Sequence, residues 1–435
     1  MKQKPAVINI IWLYLILVSI IVAAYTGKMA DITTASFDSA KSAVNLAISL
    51  IGAMALWLGI MKVAETAGLM RIIARAIRPV MVRLFPDVPA EHPAMSAIIM
   101  NMAANMLGLG NAATPMGIKA MTELEKINPQ KGTATNAMCL FLAINTSSVT
   151  ILPLGVIAVR AAAGASNPAS ILVPSIFATC CSTLVAIIAA KLLAKRDPLP
   201  VNETVPVELL SDNNVQKSNR ETHDIPPLKK IPKLFGLFLI PVLFGAIPYH
   251  LIKMGQIPQF NLDLITSATT WLVPIIMGSL LLFGYLRGVK VYETVTEGAK
   301  EGFEVAIRII PFMVAIFVAI GMFRASGALE IFTALVSPLT NLIGMPPETL
   351  PMAILRPLSG TGAFGAMSEI VNNAPDSFSS FVASVMQGST ETTFYVLAVY
   401  FGAIGIKKSR HALPAALIAD ATGILAAVTI SRIMF

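Results

Sequence analysis

Residues Gln387–Thr392 read QGSTET inside an otherwise apolar stretch that runs from about 379 to 404. The stretch is long enough to cross a bilayer, yet its middle carries an amide, three hydroxyls and a carboxylate, which hydrocarbon cannot solvate. Such a pattern predicts a helix unwound at midspan, with N–H and C=O groups left free for a substrate or an ion. Asn145–Thr150, NTSSVT, interrupts the apolar stretch 133–163 in the same way. Two broken spans, one in each half of the chain, set the frame for everything else.

The rest of the sequence agrees with lipid as the main solvent. The chain has 435 residues, 55% of them apolar and only 13% charged, against ~25% charged for an average soluble domain. The net charge of +8 does not mark a nucleic-acid binder, because the basic residues sit in short segments between apolar runs. Nine segments are long and apolar enough to cross: about 7–25, 42–63, 133–163, 170–194, 234–252, 266–286, 303–324, 379–404 and 412–433. The first follows Lys2 and Lys4 but carries Trp12 and Tyr14 and no small-residue cleavage site, so it reads as a retained helix. Two further regions, about 94–125 and 350–370, are apolar but broken by Gly, Asn, Ser and Pro, and read as re-entrant helical hairpins.

Charge placement tests that count. With a cytoplasmic N-terminus, the clusters Arg71/Arg75/Arg78/Arg83, Lys191/Lys195/Arg196, Arg287/Lys290 and Lys407/Lys408/Arg410 all fall on the cytoplasmic side. The loops expected outside, around 26–41, 164–169, 253–265 and 371–378, are poor in Lys and Arg. The four arginines of 71–83 recur at helical spacing and predict an interfacial amphipathic helix on anionic lipid. The expected location is a bacterial cytoplasmic membrane, with the C-terminus outside.

The chain also repeats itself. Gly68 precedes Pro79 by eleven residues, and Gly327 precedes Pro338 by eleven. Glycine-rich turns follow in each half, at 105-NMLGLGNAATP-115 and 358-LSGTGAFG-365, then NTSSVT and QGSTET, then 174-PSIFATCCS-182 and 414-PAALIADATG-423. Side-counting makes the two copies inverted, an architecture recurrent in secondary transporters. The expected organisation is a first repeat over 1–196, a polar cytoplasmic linker over 197–232 and a second repeat over 233–435.

The first half, with 101-NMAANMLGLGNAATPMGIKAM-121, resembles spore maturation protein A. The second, with 356-RPLSGTGAFG-365 and 387-QGSTETTFYVLAVYFGAIGIKKSRHAL-413, resembles spore maturation protein B, as if the two were fused in one chain. Both are similar to the nucleoside recognition, or Gate, group, which implies kinship with the cores of concentrative nucleoside transporters and the membrane part of ferrous iron transporters. No GxxxxGK[ST] motif is present, which disfavours a nucleotide-driven iron transporter.

The fold expected is therefore an all-α integral membrane protein: two inverted Gate-type repeats with about nine crossing helices, two re-entrant hairpins and interfacial amphipathic helices. Candidate binding residues are the polar groups and turn glycines at depth: Asn105, Gly108, Gly110, Asn111, Asn145, Thr146, Ser147, Ser148 and Thr150 in the first half. In the second half they are Arg356, Ser359, Gly360, Thr361, Gly362, Gln387, Ser389, Thr390, Glu391, Thr392 and Asp420. Glu391 is placed to titrate, to hold a cation or to pair with Arg356. For the hydroxyls, helix packing is an equal alternative. Cys139, Cys180 and Cys181 lie in apolar runs and the four histidines are scattered, so no metal, cofactor or catalytic set is expected, and no enzyme. The expected activity is ion-coupled transport, by H+ or Na+, of a small polar solute, with a nucleoside-like solute as one candidate. The alternative is a non-transporting assembly factor acting on envelope or spore-cortex partners. Membrane lipid is a partner in either case, and homo-oligomerisation is left open.

Overall fold

The computed structural model describes residues 7–197 and 262–435 together with Gly245, and no side chains before Trp12 or at 110–112, 262–273, 306 and 339. The linker beyond Asp197, the expected crossing 234–252 and the outer loop 253–261 lie outside the described residues. Among the described residues every regular element is helical, apart from a single bridge between Thr133 and Lys408. Four helices among the described residues are long and apolar enough to cross a membrane, against the nine crossings expected along the full sequence. Leu184, Leu192, Leu335 and Leu342 stand on the outer surface, more than half exposed, where lipid suits them.

In the first half, α1 (Val7–Thr26) leads to the long α2 (Met29–Thr66) and then α3 (Leu69–Leu84). A hairpin of α4 (Pro93–Met106) and α5 (Gly110–Lys126) follows, then α6 (Asn136–Thr146), α7 (Leu154–Ala162) and α8 (Leu172–Arg196). The second half begins with α9 (Leu262–Leu286) and the long α10 (Val291–Ala325), then α11 (Ala328–Ile343). Its hairpin is α12 (Leu350–Leu358) and α13 (Gly360–Asn373), followed by α14 (Phe378–Ser389), α15 (Thr393–Ala403) and α16 (Ala412–Met434).

The order of elements matches from α2 to α8 and from α10 to α16, and so do their local devices. Gly68 and Gly327 both sit in the left-handed region, with φ of 83° and 87°, and launch α3 and α11. Thr135 and Ser377 both cap the helix that precedes a break, each accepting a backbone N–H three residues on. The segment 133–163 is thus two helices, and 379–404 is two helices. In one respect the sequence misleads: 29–41, expected as loop, is the first third of α2. Its polar residues hide it from hydropathy, yet Ile32 and Ala43 already bury one face of the helix.

Corresponding helices pack in antiparallel pairs. Along α2 and α10, a Cβ added at Gly298 meets Leu58, at Gly302 meets Ala55 and at Gly321 meets Ser39, so one chain descends as the other rises. Small residues there let the backbones approach closely. The α8 and α16 pair is antiparallel too: Asp197 lies beside Arg410, and Ser182 donates to the Ala419 carbonyl at 2.8 Å. The halves also exchange partners, α6 packing on α16 and α14 on α8. The hairpin of α4 and α5 has its base beside the start of α16, where Ala134 N–H donates to the Lys408 carbonyl. The hairpin of α12 and α13 has its base near Phe378, which packs on Phe435 at the far end of α16. Their tips therefore approach the middle from opposite ends.

Candidate functional site

The first break spans residues 147–153 and is built from uncharged groups. Asn145 ends α6 buried, accepting from Asn105 Nδ2 at 2.9 Å and from the Tyr400 hydroxyl at 3.2 Å. Ser148 turns the chain with a positive φ of 50°, which a non-glycine residue adopts only when its surroundings hold it there. That hold comes from α8: Thr179 Oγ1 donates to the carbonyls of Ser147 and Ser148, and the Ser147 and Thr183 hydroxyls share a bond of 2.8 Å. Ser148 and Thr150 share another at 2.9 Å.

The second break, residues 390–392, is stapled by a charge. Arg356 reaches from α12, only 2% exposed, and donates to the Thr392 hydroxyl at 3.1 Å, to the Gln387 carbonyl at 3.4 Å and to the Thr390 carbonyl. Carbonyls orphaned by unwinding are thus taken up by one guanidinium. Glu391 stands 3.9 Å from Arg356, with its side chain half exposed, while Asp420 on α16 accepts from the Thr393 hydroxyl at 2.6 Å.

The two breaks touch. Glu391 N–H donates to the Thr146 carbonyl at 2.9 Å, joining residues far apart in the chain through their unwound backbones. Each hairpin tip closes on the break of its own half. Gly108, at φ 71°, lies so near the Leu152 carbonyl that an added Cβ would stand 2.7 Å from it. At Gly360 the same atom would stand 2.6 Å from the Thr392 hydroxyl. At Gly108 the left-handed backbone and the neighbouring carbonyl favour glycine, whereas at Gly360 the close atom is a side-chain hydroxyl.

A cavity of about 370 Å³ lies where these four pieces converge. Its polar wall brings together nine of the residues singled out by sequence: Asn105, Gly108, Ser148, Thr150, Arg356, Gly360, Thr361, Gln387 and Glu391. The facing wall is apolar, with Met54, Ile309, Phe312, Met313 and Phe364. A neighbouring cavity of about 420 Å³ shares Met54, Gly108, Leu154, Gly155 and Val305 with it and leads to Lys62, Glu65 and Glu301. There Lys62 pairs with Glu301 at 3.1 Å and with Glu65 at 3.5 Å.

The other expected residues stand behind the wall. Asn145, Thr146, Ser147, Ser389 and Thr390 are buried and donate to carbonyls in the last turns of α6 and α14, and buried Thr392 accepts from Arg356. Ser359 caps α13 by accepting the Gly362 N–H at 3.1 Å, which makes both part of the turn rather than of the cavity lining. Asp420 lies one layer deeper. The side chains at Gly110 and Asn111 are outside the described residues.

Sequence reasoning passed over several groups. Tyr400 ties the halves together, stacking on Phe141 at 5.8 Å and accepting from Asn101 at 3.1 Å. Arg160 is buried over the Phe381 ring and reaches Ser384 at 3.5 Å. Glu369 is buried and paired with Arg324 at 2.8 Å. The two charges were open to the same criterion that found Glu391, being ionisable residues inside apolar stretches. Tyr400 and the cavity's apolar wall carried no such mark.

A polytopic helical membrane protein with a polar cavity between two broken helices is the class that fold and site define. The chain belongs to the Gate family, described as nucleoside recognition, whose family model matches residues 47–195 and 306–407. It is 45% identical to spore maturation protein A of Bacillus subtilis (strain 168) over 181 residues, covering 42% of this chain and 92% of that protein. It is 46% identical to spore maturation protein B of the same organism over 175 residues, covering 40% of this chain and 98% of that protein. The fused organisation expected from the sequence stands on these two similarities. No solved structure matches.

Proposed function

We propose that the chain is a secondary transporter, and no enzyme, that carries a small polar solute of nucleoside-like character in exchange with, or coupled to, H+ or Na+. The observation that supports this most is the meeting of two unwound segments and two glycine tips around one cavity. Unsatisfied backbone at membrane depth is costly, and it is tolerated where it lines a wet space. The size of the cavity suits a small solute. A polar wall opposite Phe312 and Phe364 suits a ring with a hydrogen-bonding edge.

In this reading the halves are inverted repeats with about nine crossings, consistent with the antiparallel pairing of α2 with α10 and of α8 with α16. The N-terminus is cytoplasmic, the membrane is the bacterial cytoplasmic one, and the Lys62–Glu301 cavity is the cytoplasmic approach. Alternation of access is a movement of the hairpins and broken helices against the α2 and α10 pair.

The test is flux into proteoliposomes carrying the full chain, with a panel of nucleosides and other small polar solutes under H+ and Na+ gradients. Wild type moves at least one solute, and Glu391→Gln loses most of that flux while staying folded. The substitution removes a half-exposed charge whose pairing contributes under about 1 kcal/mol. No flux across the panel contradicts transport. A second reading follows the names of the two relatives: a maturation factor acting through partners, for which substitutions in the cavity leave the cellular phenotype untouched.

A further inference from the structure

Around the second break, one cation faces two carboxylates. Arg356 carries the positive charge, while Glu391 and Asp420 act on it from the break and from α16. Arg356 gives hydrogens from its two terminal nitrogens to Thr392, Gln387 and Thr390, its Nε–H has no hydrogen-bond partner among the described residues, and no hydrogen bond joins it to Asp420. Asp420 is 3% exposed and accepts one hydrogen bond, from Thr393, at Oδ2. Its Oδ1 is buried with no hydrogen-bond partner among the described residues. From α8, Ser182 gives its hydrogen to the carbonyl of Ala419, the residue before Asp420. The charged groups acting on Asp420 are Arg356 and Glu391 alone among those described.

An ionised carboxylate in that position lacks the solvation it needs, and such groups neutralise themselves by taking a proton. A divalent metal cation is a poor substitute, since it requires several oxygens gathered around one point. No group of three or more acids, histidines or cysteines able to hold a metal exists among the described residues. The proton fits because an O–H bond is the single addition required.

We infer that Asp420 is a proton-carrying residue, neutral in the loaded state, and that Glu391 is the exposed port through which the cavity supplies that proton. This rests on the transport reading and names H+ as its coupling ion. Loading forms one O–H bond and breaks none within the protein. It takes the Arg356–Glu391–Asp420 set from a charge of −1 to zero, and release restores −1. A set that is neutral only when loaded crosses a low-dielectric interface at less cost in that state.

The test is infrared difference titration of the full chain in liposomes, with protons as the only probe. Wild type shows a protonated-carboxyl C=O band at neutral pH that disappears as the pH is raised, and Asp420→Asn loses it. Glu391→Gln keeps the band but titrates it at lower pH, because one neighbouring negative charge is gone. Should Asp420→Asn fail to fold, Thr393→Val serves instead: it removes the bond to Oδ2 and shifts the band's frequency while retaining its amplitude. The inference is overturned if wild type lacks the band at neutral pH, if Asp420→Asn retains it, or if Glu391→Gln leaves its titration unmoved. No solute is involved, so these outcomes stand whether or not any flux is found.

Discussion

Two apolar segments, 133–163 and 379–404, are each interrupted, between α6 and α7 and between α14 and α15, and the two interruptions are held open by different means. The hydroxyls of Thr179 and Thr183 on the neighbouring α8 hold the first, without a charged partner among the described residues. A single buried guanidinium holds the second, with two carboxylates at hand. Corresponding positions in the order of elements thus carry different chemistry: one break is held by neutral groups, the other by one cation with two carboxylates at hand. Hydrogen bonds among neutral groups contribute modestly one by one. A buried charge is all or nothing, since its partners are stranded when it goes.

Substitution series at the two breaks sharpen that contrast. Arg356→Met strands the carbonyls of Gln387 and Thr390 together, and is expected to cost about 3–5 kcal/mol. Thermal unfolding in detergent reads it as the largest loss of the series, and a loss no greater than that of the neutral substitutions breaks the comparison. Thr179→Val strips one hydroxyl donor from the Ser147 and Ser148 carbonyls, for about 1–3 kcal/mol by the same measurement. Gly108→Ala and Gly360→Ala compare the hairpin tips. The first must tolerate a left-handed residue and a clash with backbone, for at least about 1–2 kcal/mol. The second meets only the hydroxyl of a side chain and is expected to cost less.

Much of this arrangement was legible in the sequence because polarity at membrane depth is conspicuous. NTSSVT and QGSTET stand out within apolar runs, and each marks a real break. The hairpins were announced by glycines and prolines, and the matching order of elements by the shared spacing from Gly68 to Pro79 and from Gly327 to Pro338. What escaped has physical reasons too. Met54, Ile309 and Phe312 look like any lipid-facing residue on a long helix, and only the packing of α2 on α10 turns them to the cavity. The start of α2 is helical without being apolar, so hydropathy alone placed its beginning too late. Ser359 caps α13 in the structure, a role the sequence did not separate from ligand binding, since a serine before a glycine-rich turn serves either purpose.

Cysteine accessibility at the meeting point of the breaks tests the central claim most directly. In a variant whose Cys139, Cys180 and Cys181 are replaced, single cysteines at Thr150, Glu391 and the lipid-facing Leu335 are exposed to a charged, membrane-impermeant thiol reagent in proteoliposomes opened to both sides. A shared hydrated cavity predicts modification at Thr150 and Glu391 and none at Leu335. Protection of both break positions, at a rate no faster than that of Leu335, would contradict it.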